Sequence, residues 1–253
     1  QGLWVRVFMR LVHRFIVVSR ATAAAAKARG IEEARLCVIP NGIELPTQIA
    51  KQDRATLEGL LGRSLGNRQV LVLLGRLVRR KGAEWFIRNV MPALTERYLL
   101  VVAGDGPERA HMETAITELG LAQSVVLVGR VSDEMKQHLL ASADLLVQPN
   151  IPVEGDMEGF GLVVLEAAAS GLPVVAARLE GLEDAVQEGR TGWLLPPGDA
   201  AAWRTTLLAL ADQPEALATR AREARDRVRE TGTWEVVAAE YAAVIESDLK
   251  SPS

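Results

Sequence analysis

The sequence contains little that could form covalent or metal cross-links, with one cysteine, Cys37, and three scattered histidines. A single cysteine excludes an internal disulfide framework, and isolated histidines without cysteine partners do not form a structural zinc site. Aromatic residues are only 4% of the chain, but aliphatic residues are abundant enough to exclude disorder. The net charge of -3 provides no overall positive field for nucleic acid. We therefore expect a globular, cytoplasmic protein with no metal site and no nucleic-acid partner.

The sequence also lacks an apolar run of the roughly 18 residues that a membrane-spanning helix requires. The segment Leu3–Arg14 is apolar, but Arg6 and Arg10 within it exclude the apolar region of a signal peptide. Its arginines at four-residue spacing predict an amphipathic helix. Such a helix either packs against a domain or lies on an anionic membrane surface, so peripheral membrane contact stays open.

From residue 70 onward, short apolar runs alternate with longer helical patterns. Continuous apolar runs indicate parallel strands that are buried on both faces of a sheet. The predicted strands are Val70–Leu74, Tyr98–Ala103, Val125–Val128, Leu145–Gln148, Pro173–Ala176 and Gly192–Leu195. The predicted helices between them are Ala83–Thr95, Glu108–Leu119, Asp133–Ala141, Gly161–Ser170 and Leu182–Glu188. The sequence therefore predicts an α/β fold with a doubly wound, six-stranded parallel sheet in the order 3-2-1-4-5-6.

Three further helices are predicted to follow this sheet, at Asp199–Ala211, Pro214–Glu230 and Thr233–Leu249. The middle helix is rich in both arginine and acidic residues from Thr219 onward. This mixture at helical spacing favours a solvated surface of salt bridges over a basic binding face.

The first 45 residues do not continue the alternating pattern. They predict a strand at Phe15–Val18, an alanine-rich helix at Ala21–Arg29 that is capped by Ser19, and a strand at Leu36–Ile39. The first strand is apolar on both faces and needs neighbours on both sides. It is therefore either an edge strand of the main sheet or part of another sheet that this sequence does not contain.

Two loops are candidates for a ligand site, because doubly wound sheets bind ligands at the carboxyl ends of strands where the strand order reverses. The loop Gly75–Gly82 carries four cations, and the loop Pro149–Gly161 carries three carboxylates and leads into a helix. Arg76 and Lys81, together with the free N–H groups of that helix, favour binding of a diphosphate. The alternative is a surface cluster of salt bridges between these cations and the three carboxylates, Glu154, Asp156 and Glu158.

The segment Glu158–Glu166 contains two glutamates separated by seven residues, and it resembles the E-x7-E motif of retaining GT-B glycosyltransferases, in particular those of family 4. Further segments occur in the family's order from Phe15 to Ile245. These segments are Val38–Ile43, Gly75–Val78, Lys81–Gly82, Val101–Pro107, Val128–Val131, Ala143–Leu145, Ser170–Val175 and Gly189–Leu195. The resemblance implies that the predicted sheet is Rossmann-like and forms the C-terminal half of a GT-B fold.

The resemblance also implies a catalytic role for three residues at matching positions. Arg76 and Lys81 would bind the donor diphosphate and stabilise charge on the departing nucleotide. Glu158 would lie beside the transferred sugar. Dense positive charge of this kind suits a diphosphate leaving group and needs no metal.

Other residues are implied to bind the donor. Glu166 would bind the ribose hydroxyls, although from the residues alone it could be an ordinary exposed helix residue, and we interpret Asp105 as a turn former. The remaining implied contacts are the backbone of Phe160, Gly161 and Leu162 to phosphate and sugar, the loop of Gly129, Arg130 and Val131 to the base, and Asn41 and Gly42 at the interdomain floor.

The family has a separate N-terminal acceptor domain, of which the sequence contains only what resembles the last strand and helix. We therefore divide the sequence into three parts. Residues 1–45 are a remnant of the acceptor domain with the interdomain segment, residues 46–232 are a nucleotide-sugar-binding Rossmann-like domain, and residues 233–253 are a helix that packs back toward the N-terminal domain. The missing part of the acceptor domain is an expected partner.

The implied function is transfer of a hexose from a UDP- or GDP-linked donor to a glycan or lipid-linked acceptor, with no cofactor. A lipid-linked acceptor would place the protein at the inner face of the membrane. Two alternatives stay open. A non-catalytic sugar-nucleotide-binding or interaction domain would use the same binding residues. A GT-B-like sugar-nucleotide epimerase would need further acids and histidines, and the candidate loops contain no histidine.

Overall fold

The computed structural model describes residues 11–46 and 54–250 of the chain. A small parallel sheet pairs β1 (Phe15–Val17) with β2 (Leu36–Val38). The main parallel sheet has the spatial order β5-β4-β3-β6-β7-β8. Its strands are β3 (Gln69–Leu74), β4 (Tyr98–Ala103), β5 (Val125–Gly129), β6 (Leu145–Gln148), β7 (Val174–Ala177) and β8 (Trp193–Leu195). Counted from β3, this is the order 3-2-1-4-5-6, so the predicted doubly wound α/β sheet is confirmed.

Ten α-helices accompany the strands in the described part of the chain. They are α1 (Arg20–Ala28), α2 (Arg54–Leu61), α3 (Ala83–Asn89), α4 (Arg109–Glu118), α5 (Asp133–Ser142), α6 (Leu162–Ala169), α7 (Leu182–Ala185), α8 (Ala200–Ala211), α9 (Pro214–Thr231) and α10 (Trp234–Lys250). Helix α2 was not predicted from the sequence. The helix predicted at Ala83–Thr95 ends earlier in the structure, at Asn89. Pro92 disfavours helical conformation before it, and only a short 3-10 turn, Met91–Ala93, follows.

The strands of the main sheet are continuous apolar runs because helices cover both faces. All six residues of β4 and the last five of β3 are buried. Trp203 packs edge-on against Phe86 with ring centroids 5.7 Å apart. The hydroxyl of buried Tyr98 donates a hydrogen bond to the Leu207 carbonyl at 2.7 Å. This packing makes the sheet a rigid support for the loops at its carboxyl ends.

An N-terminal unit, formed by β1, α1 and β2, lies outside the main sheet. Of the two predicted placements of the first strand, the one in a separate sheet is therefore correct. β1 pairs with β2 in the described structure and is not added to the main sheet. The residues of both strands stay partly exposed. Pairing of β1 with β2 alone therefore does not bury this sheet.

Residues near both ends of the described chain attach the N-terminal unit to α10. Arg14 donates from Nε and Nη2 to the carboxylate of Asp248 at 2.6–2.9 Å. The N–H of Ile43 donates to the Gly232 carbonyl at 2.8 Å, immediately before α10. The N-terminal unit is thus held by the C-terminal helix.

The charged helix α9 corrects one prediction. Arg220 pairs with Glu223 at 3.1 Å, as expected of a salt-bridged surface. Arg225 and Arg229, however, form no ion pair with any described residue and line a cavity. The predicted surface of salt bridges is therefore present at Arg220 but not at Arg225 and Arg229, because the one α9 carboxylate that lines the cavity, Glu215, lies more than two helical turns before Arg225.

No helix in the two described segments is both long and apolar enough to cross a membrane. The amphipathic helix predicted at residues 3–14 falls, for most of its length, outside the described residues. Its contact with a membrane stays a prediction.

Candidate functional site

Two loops meet at the carboxyl ends of β3 and β6, where the strand order reverses. Gly82 ends the first loop with φ 64°, and a Cβ atom there would lie 1.9 Å from the carbonyl oxygen of Pro149. The N–H of Ile151 donates to the Arg80 carbonyl at 2.9 Å. Only glycine at position 82 allows the two backbones to approach this closely.

The carboxylate of Glu158 lies at the centre of this contact. Its Oε2 atom accepts hydrogen bonds from Lys81 Nζ at 2.5 Å, Arg80 Nη1 at 2.6 Å and Asn150 Nδ2 at 3.1 Å. Lys81 and Glu158 are only 8% and 7% exposed. A buried lysine and carboxylate are tolerated because each neutralises the other.

Glu158 is held in its ionised form. Burial alone would raise its pKa, but the charge and hydrogen bond of Lys81, with those of Arg80 and Asn150, hold the pKa below its ordinary value. All three donors use Oε2, and no described residue donates to Oε1. The second oxygen therefore keeps its capacity to accept a hydrogen bond from a ligand.

The structure separates the two cations that the sequence analysis singled out. Lys81 contacts Glu158, whereas Arg76 is exposed. Arg76 lines a cavity of about 620 Å³ together with Arg130 and Asp105. Positive charge is thus distributed over two adjoining places at the carboxyl edge of the sheet.

Arg80 and Asn150 were missed by the sequence analysis. Arg80 contacts Asp156 Oδ1 at 2.9 Å in addition to Glu158, so the alternative of a salt-bridge cluster is partly present. Its position depends on the 3-10 turn of Arg79–Lys81, which the sequence does not reveal. Asn150 could have been found, because it is a polar residue directly after a buried strand.

Helix α6 begins at the end of the second loop. Gly161 precedes it with φ 80°, and a Cβ atom there would lie 2.7 Å from Cδ2 of Leu182. The side chain of Phe160 is buried, while Leu162 is 42% exposed. The first N–H groups of α6 have no partner within the helix, and they carry the positive end of its dipole. This end of the helix can therefore receive an anion.

Glu180 supports the second loop from β7. It is the one described non-glycine residue with positive φ, at 52°. Its Oε2 accepts a hydrogen bond from the N–H of Glu158 at 2.5 Å. A Cβ atom on the next residue, Gly181, would lie 2.2 Å from the carbonyl oxygen of Gly159. A strained backbone at a ligand site is a recognised feature of functional loops, but the sequence carries no signal for it.

Glu166 lies one turn into α6 and is not an ordinary exposed residue. Its Oε1 accepts a hydrogen bond from Lys136 Nζ at 3.0 Å. Burial lowers the pKa of Lys136, but the hydrogen bonds and charges of Glu166 and Asp133 together outweigh it and raise the pKa. Lys136 therefore stays charged beside Glu166.

The loop after β5 borders the same edge of the sheet. Gly129 has φ 75°, and its carbonyl accepts from the N–H of Gly104 at 2.8 Å. Arg130 is exposed, whereas Val131 packs against the core. Asp105 Oδ1 accepts from the N–H of Gly106 at 2.8 Å, which fits its interpretation as a turn former.

Asn41 and Gly42 lie at another junction. A Cβ atom on Gly42 would lie 2.8 Å from the backbone nitrogen of Trp234, so this segment packs closely against the start of α10. No hydrogen bond among the described residues joins Asn41 to Glu158 or Lys81. Asn41 and Gly42 lie between the N-terminal unit and α10, directly before Ile43, which donates to the Gly232 carbonyl. Their role in donor binding stays a prediction.

A family model described as glycosyl transferases group 1 matches residues 68–213, more than half of the chain. This chain belongs to that glycosyltransferase family. A second model, glycosyltransferase family 4, matches residues 2–46. The two matches cover the main sheet and the N-terminal unit, and the predicted membership of the GT-B, family 4 type is confirmed.

Curated relatives include two glycosyltransferases. The GDP-mannose-dependent alpha-(1-6)-phosphatidylinositol monomannoside mannosyltransferase of Mycolicibacterium smegmatis is 32% identical over 90% of this chain and 60% of its own length. The D-inositol 3-phosphate glycosyltransferase of Corynebacterium efficiens is 33% identical over 83% of this chain and 50% of its own length. This glycosyltransferase chain thus spans about half the length of the curated relatives it matches.

A solved structure supports the fold directly. HepE of Anabaena, in complex with UDP and glucose, superimposes with a TM-score of 0.80 at 26% identity, over 98% of this chain and 68% of that chain. The predicted GT-B architecture of the glycosyltransferase is therefore confirmed by a relative whose crystals contain a nucleotide and a sugar.

Proposed function

We propose that this chain is the donor-binding part of a retaining, metal-independent glycosyltransferase. The proposed reaction transfers a hexose from a UDP- or GDP-linked sugar to a glycan or lipid-linked acceptor. The observation that carries the proposal is the buried contact of Lys81 with Glu158 beside the start of α6. It brings a cation, a carboxylate and unpaired N–H groups to the edge of the sheet where doubly wound folds bind ligands.

Binding of a diphosphate needs positive charge that the protein does not already neutralise. Glu158 neutralises one of the two cations that contact it, Lys81 and Arg80. The other carboxylate at Arg80 belongs to Asp156, which is half-exposed, and such pairs are weak. Arg76 has no ion pair with a described residue and adds a further cation. Together with the N–H groups of α6, these side chains support diphosphate binding without a metal.

The same groups suit the chemistry of sugar transfer. Negative charge builds up on the departing nucleoside diphosphate, and fixed cations such as Lys81 and Arg76 stabilise it more in the transition state than in the ground state. The unoccupied Oε1 of Glu158 is placed to accept a hydrogen bond from a hydroxyl of the transferred sugar. Retention of configuration rests on the resemblance of the Glu158–Glu166 motif.

Recognition of the nucleoside is proposed for two other places. Glu166, held by Lys136, would accept hydrogen bonds from the ribose hydroxyls one helical turn after the phosphate-binding end of α6. The Gly129–Val131 loop would hold the base beside the cavity that Arg76 and Arg130 line. This arrangement orders phosphate, ribose and base along one edge of the sheet.

The relatives support the proposed donor and acceptor classes. HepE binds UDP and glucose, and the Mycolicibacterium smegmatis enzyme is named for GDP-mannose and a phosphatidylinositol mannoside. A lipid-linked acceptor would bring the protein to the inner face of a membrane. Because transfer requires the acceptor hydroxyl next to the sugar in a cleft closed to water, we expect that this chain needs an N-terminal acceptor domain for activity.

Calorimetric titration of the 253-residue chain with UDP, GDP and ADP, with and without EDTA, tests the proposal. We expect UDP or GDP to bind with an affinity that EDTA does not change. Loss of binding in EDTA would reject the metal-independent site. Absence of binding by all three nucleotides would reject the donor-binding function.

The Lys81→Ala variant tests which part of the nucleotide is recognised. It should weaken the nucleotide by about 1–3 kcal/mol, as expected for a lost charge-assisted hydrogen bond, and the matching nucleoside much less. Arg79→Ala is the matched control, since it removes a charge from the same loop at an exposed position. Equal weakening of nucleotide and nucleoside by Lys81→Ala would show that Lys81 only supports the loop.

The non-catalytic alternative predicts the same binding but a different outcome in a transfer assay. The chain is supplied with an N-terminal acceptor domain, fused or in trans, together with its nucleotide-sugar. Transfer to a glycan or lipid-linked acceptor supports the enzyme. Tight binding with no transfer to any acceptor supports a binding domain.

A further inference from the structure

A cavity of about 1140 Å³ lies at the amino end of the main sheet, opposite the candidate donor site. Gln69 at the start of β3, Asp144 just before β6 and Pro173 just before β7 form its floor. Helices α5 and α9 and the end of α6 form its walls. The strands of the sheet separate this cavity from the loops that hold Lys81 and Glu158.

One face of α9 supplies three arginines to the cavity wall, Arg222, Arg225 and Arg229. Their spacing of three and four residues places them on the same side of a helix. The rise of 1.5 Å per residue spreads them over roughly 10 Å along the axis. The cavity is therefore lined by a row of guanidinium groups.

None of these three arginines has an acidic partner among the described residues. Arg225 and Arg229 have no hydrogen bond or ion pair with the residues that the structure describes, and Arg222 reaches only the hydroxyl of Thr219, at 3.4 Å. Arg220, by contrast, pairs with Glu223 at 3.1 Å. Arg227, outside the cavity, also forms no ion pair with a described residue, so what Arg222, Arg225 and Arg229 share is the cavity that they line.

Arg225 also has a buried donor that nothing satisfies. Its Nε atom is inaccessible and has no acceptor among the described residues. A Cβ atom on Gly171 would lie 3.7 Å from Nη1 of Arg225, which places the guanidinium beside the C-terminal end of α6. The helix dipole stabilises a cation there, but it does not supply an acceptor to Nε. Buried donors of this kind are normally satisfied by water or by a ligand.

The carboxylates of the cavity do not neutralise the arginines. Asp144 accepts a hydrogen bond from the N–H of Val70 at 2.8 Å, and Glu215 lies two helical turns before Arg222 on α9. Gln69 adds a buried oxygen, Oε1, that has no donor among the described residues. The wall therefore presents arginine donors that the carboxylates of the cavity do not use.

We propose that this cavity binds a small phosphorylated molecule through Arg225 and Arg229, with Arg222 at the rim. Guanidinium groups donate pairs of N–H groups to phosphate oxygens. Leu140 and Leu217 line the cavity and suit the less polar part of such a molecule. A concave site of this volume favours a soluble ligand over a flat membrane surface. The proposal does not depend on the proposed donor site.

Inorganic pyrophosphate is the probe, titrated by calorimetry into the 253-residue chain and two variants. Arg229→Gln removes an exposed cavity arginine, and Arg227→Gln removes the same charge from the same helix outside the cavity. We expect Arg229→Gln to weaken pyrophosphate about tenfold, the effect of losing a charge-assisted hydrogen bond. Arg227→Gln should change the affinity less than about twofold, because Arg227 lies outside the cavity and salt screens charges at a distance.

A second titration tests whether the cavity is distinct from the donor site, and a third titration tests the role of Arg225. Pyrophosphate should still bind when UDP or GDP is present in excess. Arg225→Lys, which keeps the charge but loses the fork of donors, should also weaken binding, with the melting temperature as the check on folding. Equal losses in Arg229→Gln and Arg227→Gln, complete competition by nucleotide, or no binding to the unaltered chain would each overturn the proposal.

Discussion

The two ends of the main sheet both collect positive side chains but hold them in different ways. At the carboxyl end, Lys81 and Arg80 donate to the buried carboxylate of Glu158. At the amino end, Arg225 and Arg229 face a cavity without an ion pair to any described residue. A ligand at the carboxyl end must share its cations with Glu158, whereas the carboxylates that line the amino-end cavity, Asp144 and Glu215, form no ion pair with its arginines.

This difference bears on selectivity. Glu158 repels an anion that brings only negative charge, but it attracts a ligand that also carries hydroxyl groups as donors. On the proposed function, a nucleotide-sugar satisfies both requirements, with phosphates for the cations and sugar hydroxyls for Glu158. At the amino end, no described carboxylate forms an ion pair with Arg225 or Arg229, so this cavity should accept simpler phosphates.

Of the substitutions considered, removal of Glu158 should have the largest effect on stability, because it removes the carboxylate that distinguishes the carboxyl end from the amino end. Glu158→Ala leaves Lys81 buried beside Arg80 without its counter-charge, so we expect the free energy of unfolding to fall by about 3–5 kcal/mol. At the other end, Arg229→Ala removes no partner and should stay within about 0.5 kcal/mol. Urea denaturation measures both. A cost below 1 kcal/mol for Glu158→Ala, as for exposed pairs, would mean that water reaches Lys81.

The pH dependence of stability should follow from the same carboxylate. Its folded pKa lies below its unfolded value, so its contribution is fully present above the unfolded pKa, about 4.3, and is lost as the pH falls through the folded pKa. The unaltered chain should therefore lose stability relative to Glu158→Gln on acidification below that point. Denaturation curves at several acidic pH values measure the difference, and parallel loss in both proteins would contradict it.

Separation of the two loops at the carboxyl end should have the next largest effect. Gly82→Ala combines a left-handed backbone with a clash against the Pro149 carbonyl, and we expect it to cost about 2–4 kcal/mol. Gly59→Ala is the control, because no atom lies within 4 Å of a Cβ there. Being inside α2, it should stabilise the protein by about 0.5–1 kcal/mol. Similar melting temperatures for both variants would show that the loops can move apart freely.

A smaller effect is expected at Glu180, which combines a positive φ with a hydrogen bond to Glu158. Glu180→Ala and Glu180→Gly both remove the hydrogen bond, but only glycine adopts this backbone without strain. Glu180→Gly should therefore be the more stable of the two, by about 1 kcal/mol. Thermal unfolding of the two variants separates the cost of backbone strain from that of the lost hydrogen bond. A more stable alanine variant would show that the backbone at position 180 is not strained.

The strands were predictable because each is a buried apolar run that ends at glycine, proline or a polar residue. β4 and β6 have the boundaries that were predicted, Tyr98–Ala103 and Leu145–Gln148. Helix α2 was missed, since Leu57 is its one buried side chain and Gly59 weakens the helical pattern. Periodicity reports burial, so an element with little buried surface leaves little trace in the sequence.

The candidate site was predictable in position but not in its contacts. The loops that carry Lys81 and Glu158 were identified from the strand order, and the structure brings these two residues together. The contact of Arg80 with Glu158 depends on the 3-10 turn Arg79–Lys81, which sequence spacing cannot resolve. The unpaired arginines of α9 were missed for a similar reason, because helical spacing shows which residues share a face but not what that face meets.

The contact between Arg14 and Asp248 imposes an order of events during synthesis. These residues are 234 positions apart, and a ribosome that adds 5–20 residues per second needs roughly 10–50 s to cover that distance. During this interval β1 and its partly apolar faces have emerged, while the helix that holds them has not. The main sheet can fold in the meantime, so β1 is synthesised before the main sheet but is secured after it.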